Sequence, residues 1–207
     1  MFSESSCDPF YDALLCMGFN ARLIASEMNP NPQKEILEYT HVAILVNLDG
    51  KDYLVDVGNG RDFGGALPID GSESTFAEGF EYKIAQYDSN SLGLFVIDHN
   101  KGIGQKKGEW EHLPDNPEEW KIRYALEPEL PSKTRNDFVN ACHYIQTSPE
   151  SIFVQKRLAT LPKVNSRITL SDQHWIEKYN DGQRDDEQIS DSEYLAILKS
   201  KFGLDYQ

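Results

Sequence analysis

The sequence predicts an α+β chain, and three observations carry that prediction. Short β-rich runs separated by turn signals recur through its first half. A helical stripe opens it. Its last segment carries both a start and a stop signal for a helix. With 207 residues there is enough chain for a sizeable core, as one domain or as two closely packed lobes.

Taken in order, residues 8–18 read as a helix, with Asp8 as N-cap, Pro9 at the first helical position and Gly18 as the stop. Phe10, Leu14 and Leu15 supply its apolar stripe, with Met17 beside it and Cys16 on the inward face. Ala21 to Ala25 read as a strand, ended by Asn29-Pro30-Asn31-Pro32. His41 to Leu48 and Lys51 to Val57 are β-rich runs joined by Asp49-Gly50, a strong hairpin signal. Phe80 to Tyr87 and Leu92 to Ile97 are further strands, so the first half suggests a small antiparallel barrel or sandwich. The polar stretch from Gly102 to Pro117 marks a lobe boundary. Beyond it, Asn136 to Gln146 predicts a helix with Phe138, Ala141, Cys142 and Ile145 inward, and Phe153 to Leu161 and Arg167 to Leu170 read as strands. Residues 180–187 read as a polar loop. Ser190 and Glu193 form a capping box, Ile189 and Tyr194 a hydrophobic staple, and Gly203 a stop; Leu195, Leu198 and Phe202 are the expected buried face of the last helix.

Charge narrows the partners. The formal net charge is −14, from 34 acidic and 20 basic side chains, which repels phosphate backbones and anionic lipid surfaces. Neither nucleic acid nor membrane is expected as a partner. No apolar run reaches bilayer length, and the first residues have neither the basic nor the apolar region of a secretory signal. Cys7, Cys16 and Cys142 match no zinc or disulfide spacing, so no metal is expected and a reducing cytoplasm is the default location.

The hairpin carries the chemistry. With Asp49-Gly50 as a two-residue turn, Leu48 opposes Lys51, and the pairing runs back until Asp56 faces Ala43 and His41 faces Gly58. His41 and Asp56 then leave the same sheet face as diagonal neighbours, roughly 7 Å apart at Cα. An aspartate beside an imidazole fixes its tautomer and stabilises its charged form, which suits a base serving a nucleophile. The opposite face carries Val42, Ile44, Val46, Leu48, Tyr53, Val55 and Val57, an expected core, whereas the His/Asp face reads as smaller and more polar.

The wording of this region resembles a known family. Thr40-His41-Val42-Ala43-Ile44-Leu45-Val46, then Asp49-Gly50, then Tyr53-Leu54-Val55-Asp56-Val57-Gly58-Asn59-Gly60 is similar to the signature of arylamine N-acetyltransferases, T-H-x-x-x-L-V, D-G, Y-L-V-D-V-G-F-G. Pro68, the helix ending in Gly18-Phe19, Trp120 with Tyr124, Asp137-Phe138, Thr147-Ser148-Pro149 and Phe202-Gly203-Leu204 also follow the family's order. The resemblance implies a cysteine-proteinase-like Cys-His-Asp architecture: a remnant of an N-terminal helical domain at 1–25, an antiparallel β-barrel at 26–110 and an α/β lid at 111–207. It also implies acetyl transfer from acetyl-coenzyme A to an arylamine or hydrazine through an acetyl-cysteine, the chemistry of xenobiotic metabolism. His41 would activate the thiol and Asp56 would orient His41.

The nucleophile departs from the pattern. An ungapped alignment puts the family cysteine on Ser3, a poor nucleophile, whereas a short deletion brings Cys7 into the role. A thiol at a helix N-terminus has a lowered pKa, but Cys7 lacks the family's surrounding glycines. The expectation is an N-terminally truncated member that acetylates poorly or not at all. A non-catalytic remnant binding coenzyme A, a small aromatic or a protein partner is the alternative, and a transglutaminase-like Cys-His-Asp peptidase is a third reading. Asn59 stands where the family has phenylalanine. No coenzyme-binding residue is assigned.

Overall fold

The computed structural model describes residues 4–28, 41–59, 63–77, 79–99, 120–129, 131–181 and 183–205. The described residues fall into two units, one up to Cys142 and the other from His143 onward.

The first unit is one antiparallel sheet with a helix against it. Helix α1 (Glu4–Cys16) begins ahead of the expected Asp8 cap, so Pro9 lies inside its first half rather than at its first position. Its end is as predicted: Gly18 N donates to Leu15 O and Phe19 N to Leu14 O, the paired bonds that close a helix on glycine. Leu14 is buried against the sheet, but Leu15, Cys16 and Met17 are exposed, so Cys16 is not the core thiol the helical stripe suggested. The apolar side of α1 is narrower than read, centred on Phe10 and Leu14.

Strands β1 (Asn20–Met28), β2 (His41–Leu48), β3 (Lys51–Val55), β4 (Leu67–Pro68), β5 (Ser74–Ala77), β6 (Phe80–Gln86), β7 (Leu92–Asp98) and β8 (Lys121–Leu126) pair in the order β4-β3-β2-β1-β8-β7-β6-β5. The strand β8 pairs with β1 and β7. Lys121–Leu126 are thus part of the large sheet, not of the lid to which residues 111–207 were assigned; the expected boundary segment itself lies outside the described residues. The β2–β3 ladder has the predicted register, Leu48 opposite Lys51 and Ile44 opposite Val55, turning through Asp49 (φ 51°) and Gly50 (φ 83°). Two successive positive φ values match the right-handed strand twist.

Both faces of β2 are buried, a pattern more familiar in enclosed strands than in one-sided sheets. Ile44 and Val46 pack with Leu14, Ala21 and Leu23 on the α1 side. Ala43 and Leu45 join Leu54, Phe63, Leu67, Tyr82, Ile84, Leu94, Tyr124 and Leu126 in the larger core. The His/Asp face is therefore the interior of the curved sheet, larger and more apolar than the sequence suggested. Each leucine fully buried there contributes about 1.5–3 kcal/mol.

The sheet nearly closes into a barrel, with Leu67 of β4 reaching Tyr82 and Ile84 of β6 in one core. Gly71 sits at the approach: its φ is +70°, and a Cβ there would stand 2.6 Å from the Ile84 carbonyl oxygen. Gly71→Ala is expected to destabilise the first unit by about 1–3 kcal/mol, since a non-glycine residue is strained in this conformation and the obstruction is backbone. Chemical denaturation would read this as a lower midpoint at unchanged slope.

In the second unit, β9 (Leu158–Pro162), β10 (Ser166–Ser171), β11 (His174–Tyr179) and β12 (Arg184–Gln188) form an antiparallel sheet in the order β12-β11-β10-β9. A 3-10 turn (Arg135–Phe138) leads into α2 (Val139–Thr147), which crosses the division between the units and buries Ala141. The run Phe153 to Leu161 is not one strand. Ser151 Oγ accepts from Phe153 N and starts the single-turn α3 (Ile152–Gln155), and β9 begins only at Leu158. Residues 180–187 are not all loop either, because β12 starts at Arg184.

Helix α4 (Asp191–Phe202) has the predicted capping box and ends on left-handed Gly203. Tyr194 and Leu198 are its buried residues and pack with Leu170, Trp175 and Ile189, whereas Leu195 is exposed. The backbone N–H of Ser190 holds the Glu193 carboxyl below its ordinary range, as the Arg157 bond does for Asp172 and the Ser166 hydroxyl for Glu177. Carboxyls lowered in the folded state contribute stability that is complete above their ordinary values, about pH 4. That contribution is lost as pH falls through the lower folded-state values. The Ser190 hydroxyl also donates to Glu193 Oε2, at 2.7 Å. Ser190→Ala, which keeps the backbone bond, is therefore expected to lower the unfolding midpoint and to weaken in part its acid dependence below roughly pH 4, measured by thermal melts across an acid series.

Candidate active site

His41 is the first residue of β2, and Asp56 lies one residue beyond the end of β3. The register brings them together from one face: Nε2 of His41 lies 2.7 Å from Oδ2 of Asp56. The His41 side chain is 8% exposed and that of Asp56 fully buried, so the pair is shielded from water. The other carboxylate oxygen, Oδ1, accepts from the backbone N–H groups of Gly58 and Asn59 at 2.8 and 3.0 Å. Asp56 is thus an acceptor on both oxygens, fixed by the turn that follows it.

His41 is held as firmly. Its carbonyl accepts from Ser26 Oγ on β1 at 3.2 Å, and its ring lies 5.3 Å from that of Tyr124 on β8. Because β1 lies between β2 and β8, both rings project into the same interior. With Nε2–H donated to Asp56, the lone pair of the neutral ring is on Nδ1, which can accept a proton from a nucleophile. The arrangement is a buried, oriented imidazole able to act as a base.

Beside it lies a polar contact that residue types alone did not indicate. Arg123 Nε donates to Asn59 Oδ1 at 3.1 Å and Nη2 to the Asn59 carbonyl at 3.4 Å. Asn59 was singled out as a departure from the family wording, but Arg123 was not read as a neighbour of the site.

Cys7 lies in α1, and its side chain is outside the described residues, as are Ser3 and Thr40. Cys142 is half-buried in α2. Among the described residues no group of three or more His, Cys, Asp or Glu could hold a metal ion, and no helix is long and apolar enough to cross a membrane.

Comparison with known proteins places the chain in a family. The N-acetyltransferase family pattern matches residues 8–207. The pineal gland arylamine N-acetyltransferase isozyme NAT-10 of Gallus gallus is 26% identical over 206 residues, covering 92% of this chain and 67% of the relative. The arylamine N-acetyltransferase of Mycobacterium abscessus superposes with a TM-score of 0.77 at 19% identity, over 100% of this chain and 68% of that one. That of Mycobacterium marinum, solved in complex with CoA, superposes with a TM-score of 0.72 at 19% identity, over 94% of this chain and 66% of its own. The chain spans about two thirds of the length of these proteins. With the family pattern over nearly its whole length and the α+β fold of those structures, the chain belongs to the arylamine N-acetyltransferase family.

Proposed function

We propose that this chain transfers an acetyl group from acetyl-coenzyme A to a small aromatic amine or hydrazine, with His41 as base, Asp56 as its orienting partner and Cys7 as the thiol. One observation carries the reading: the buried 2.7 Å contact between His41 and Asp56, formed by the segments that carry the family wording. In the first half-reaction, Nδ1 of His41 takes the Cys7 proton. The Cys7 sulfur attacks the acetyl carbonyl carbon, and the bond from that carbon to the coenzyme sulfur breaks. The departing thiolate takes the proton back from His41. In the second half-reaction the amine nitrogen attacks the acetyl-cysteine, His41 takes an amine proton, and the Cys7 sulfur leaves. Asp56 holds the imidazole in the required tautomer and stabilises its charged form between these steps. A reducing cytoplasm suits a chemistry that depends on a free thiol.

The relatives supply the chemical class, since one is solved with CoA and others are named for arylamine acetylation. The test is a mass measurement on the 207-residue chain incubated with acetyl-coenzyme A. An added acetyl group on Cys7, absent from Cys7→Ala, is the expected result. Lack of any adduct, or an adduct on Cys16 or Cys142 instead, would remove Cys7 from the mechanism and favour a non-catalytic binding role.

A further inference from the structure

The strand pairing of β8 contains an irregularity beside the His/Asp pair. Leu94 of β7 faces Tyr124, but the next residue, Phe95, faces Ile122. Arg123 is the additional residue of this bulge. Bulges re-aim side chains and recur next to functional sites. Here the re-aimed side chain is a guanidinium, and it grips both the Oδ1 and the carbonyl oxygen of Asn59.

Asn59 faces both ways. Its backbone N–H, with that of Gly58, holds Oδ1 of Asp56, while its oxygens are held by Arg123. Only 6% of Asn59 is exposed, and among the described residues its side-chain Nδ2 has no hydrogen-bond partner. A buried donor without an acceptor is costly, so the orientation of this amide is set by the Arg123 contact rather than by its own best pairing. The connections run from Arg123 through Asn59 to Asp56 and from there to Nε2 of His41.

We propose that Arg123 is a positioning residue: through Asn59 it fixes the turn after Asp56, so that Oδ1 stays occupied by backbone N–H groups and Oδ2 stays aimed at His41. This rests on His41 and Asp56 being the reacting pair. The fork geometry of arginine is essential to it, because a single ammonium nitrogen cannot reproduce two near-parallel N–H bonds from separate nitrogens in fixed directions. With the grip released, the 58–59 turn can rotate, Oδ1 becomes available to compete, and the imidazole loses its single tautomer.

The test uses the full 207-residue chain with 15N-labelled histidine, the His41 signals being assigned by their disappearance in His41→Gln. In the unaltered chain His41 should show the Nε2–H tautomer with a resolved, hydrogen-bonded Nε2 proton. Arg123→Met and Asn59→Ala should each lose that proton signal and shift the ring nitrogens toward a mixture of tautomers, with no further loss when combined. Arg123→Lys, which keeps the charge and most of the volume, should lose it too, and it decides the matter if Arg123→Met does not fold. A folded Arg123→Lys or Arg123→Met chain with the His41 proton and tautomer unchanged would overturn the proposal. Asp56→Asn separates this from failure of the dyad itself: it should switch His41 to the Nδ1–H tautomer, and no change there would sink the dyad instead.

Discussion

Replacing Asp56 by alanine is expected to cost the first unit about 3 kcal/mol or more, because three buried donors lose their acceptor at about 1–3 kcal/mol each. The side chain of Asp56 is fully buried and accepts three hydrogen bonds, from His41 Nε2 and from the backbone of Gly58 and Asn59. Alanine leaves all three donors without an acceptor in a site that excludes water, and each stranded donor carries a desolvation penalty. Asparagine preserves the volume but turns one acceptor into a donor. Asp56→Asn should therefore cost less than alanine while disturbing His41 more selectively. Urea unfolding followed by tryptophan fluorescence and far-UV circular dichroism would read both. An Asp56→Ala chain that unfolds at the midpoint of the unaltered one would show that the buried pair contributes nothing, and the site assignment would fall with it.

The hairpin was legible because its signals are local. Asp49-Gly50 admits positive φ at both positions, that fixes the turn, and the turn fixes which residues of β2 and β3 share a face. The α4 capping box is local in the same sense. What the sequence hid depends on competition or on distant partners. Phe153 to Leu161 has strand-like composition, yet the Ser151 hydroxyl captures the Phe153 N–H and starts a helical turn before β9 can form. Residues Arg184 to Gln188 carry no apolar alternation. They form an edge strand through polar pairs, with Asp186 bound to His174 and Arg184, and Asp185 to the Tyr179 hydroxyl. Charges suit an edge, which they protect from further pairing, but they read as loop. Arg123 reaches the site only because of a bulge that nothing in its neighbours announces. Periodicity placed Cys16 inward, but α1 turns only a narrow stripe to the sheet and leaves Cys16 exposed.

Acetylation of Cys7 is expected to be slow in the unaltered chain and slower by about 10²–10⁴-fold in His41→Gln, the usual contribution of a positioned base. The first part follows from the residues around the thiol. Glu4 and Ser5 stand ahead of Cys7 where the family wording has its two glycines, and the segment is taken into α1. A thiol near a helix N-terminus is more acidic than a free one, which helps form the thiolate, but reaction also needs the sulfur within hydrogen-bond reach of Nδ1. The second part follows from the buried His41–Asp56 contact, which supplies the base in the proposed reaction. Glutamine in place of His41 keeps a polar side chain of similar length but cannot take the proton. Adduct growth on Cys7 would be followed by intact-protein mass spectrometry at fixed pH and acetyl-coenzyme A concentration. Equal rates with and without His41 would mean that Cys7 reacts as any exposed thiol does, and the catalytic assignment of both residues would be lost.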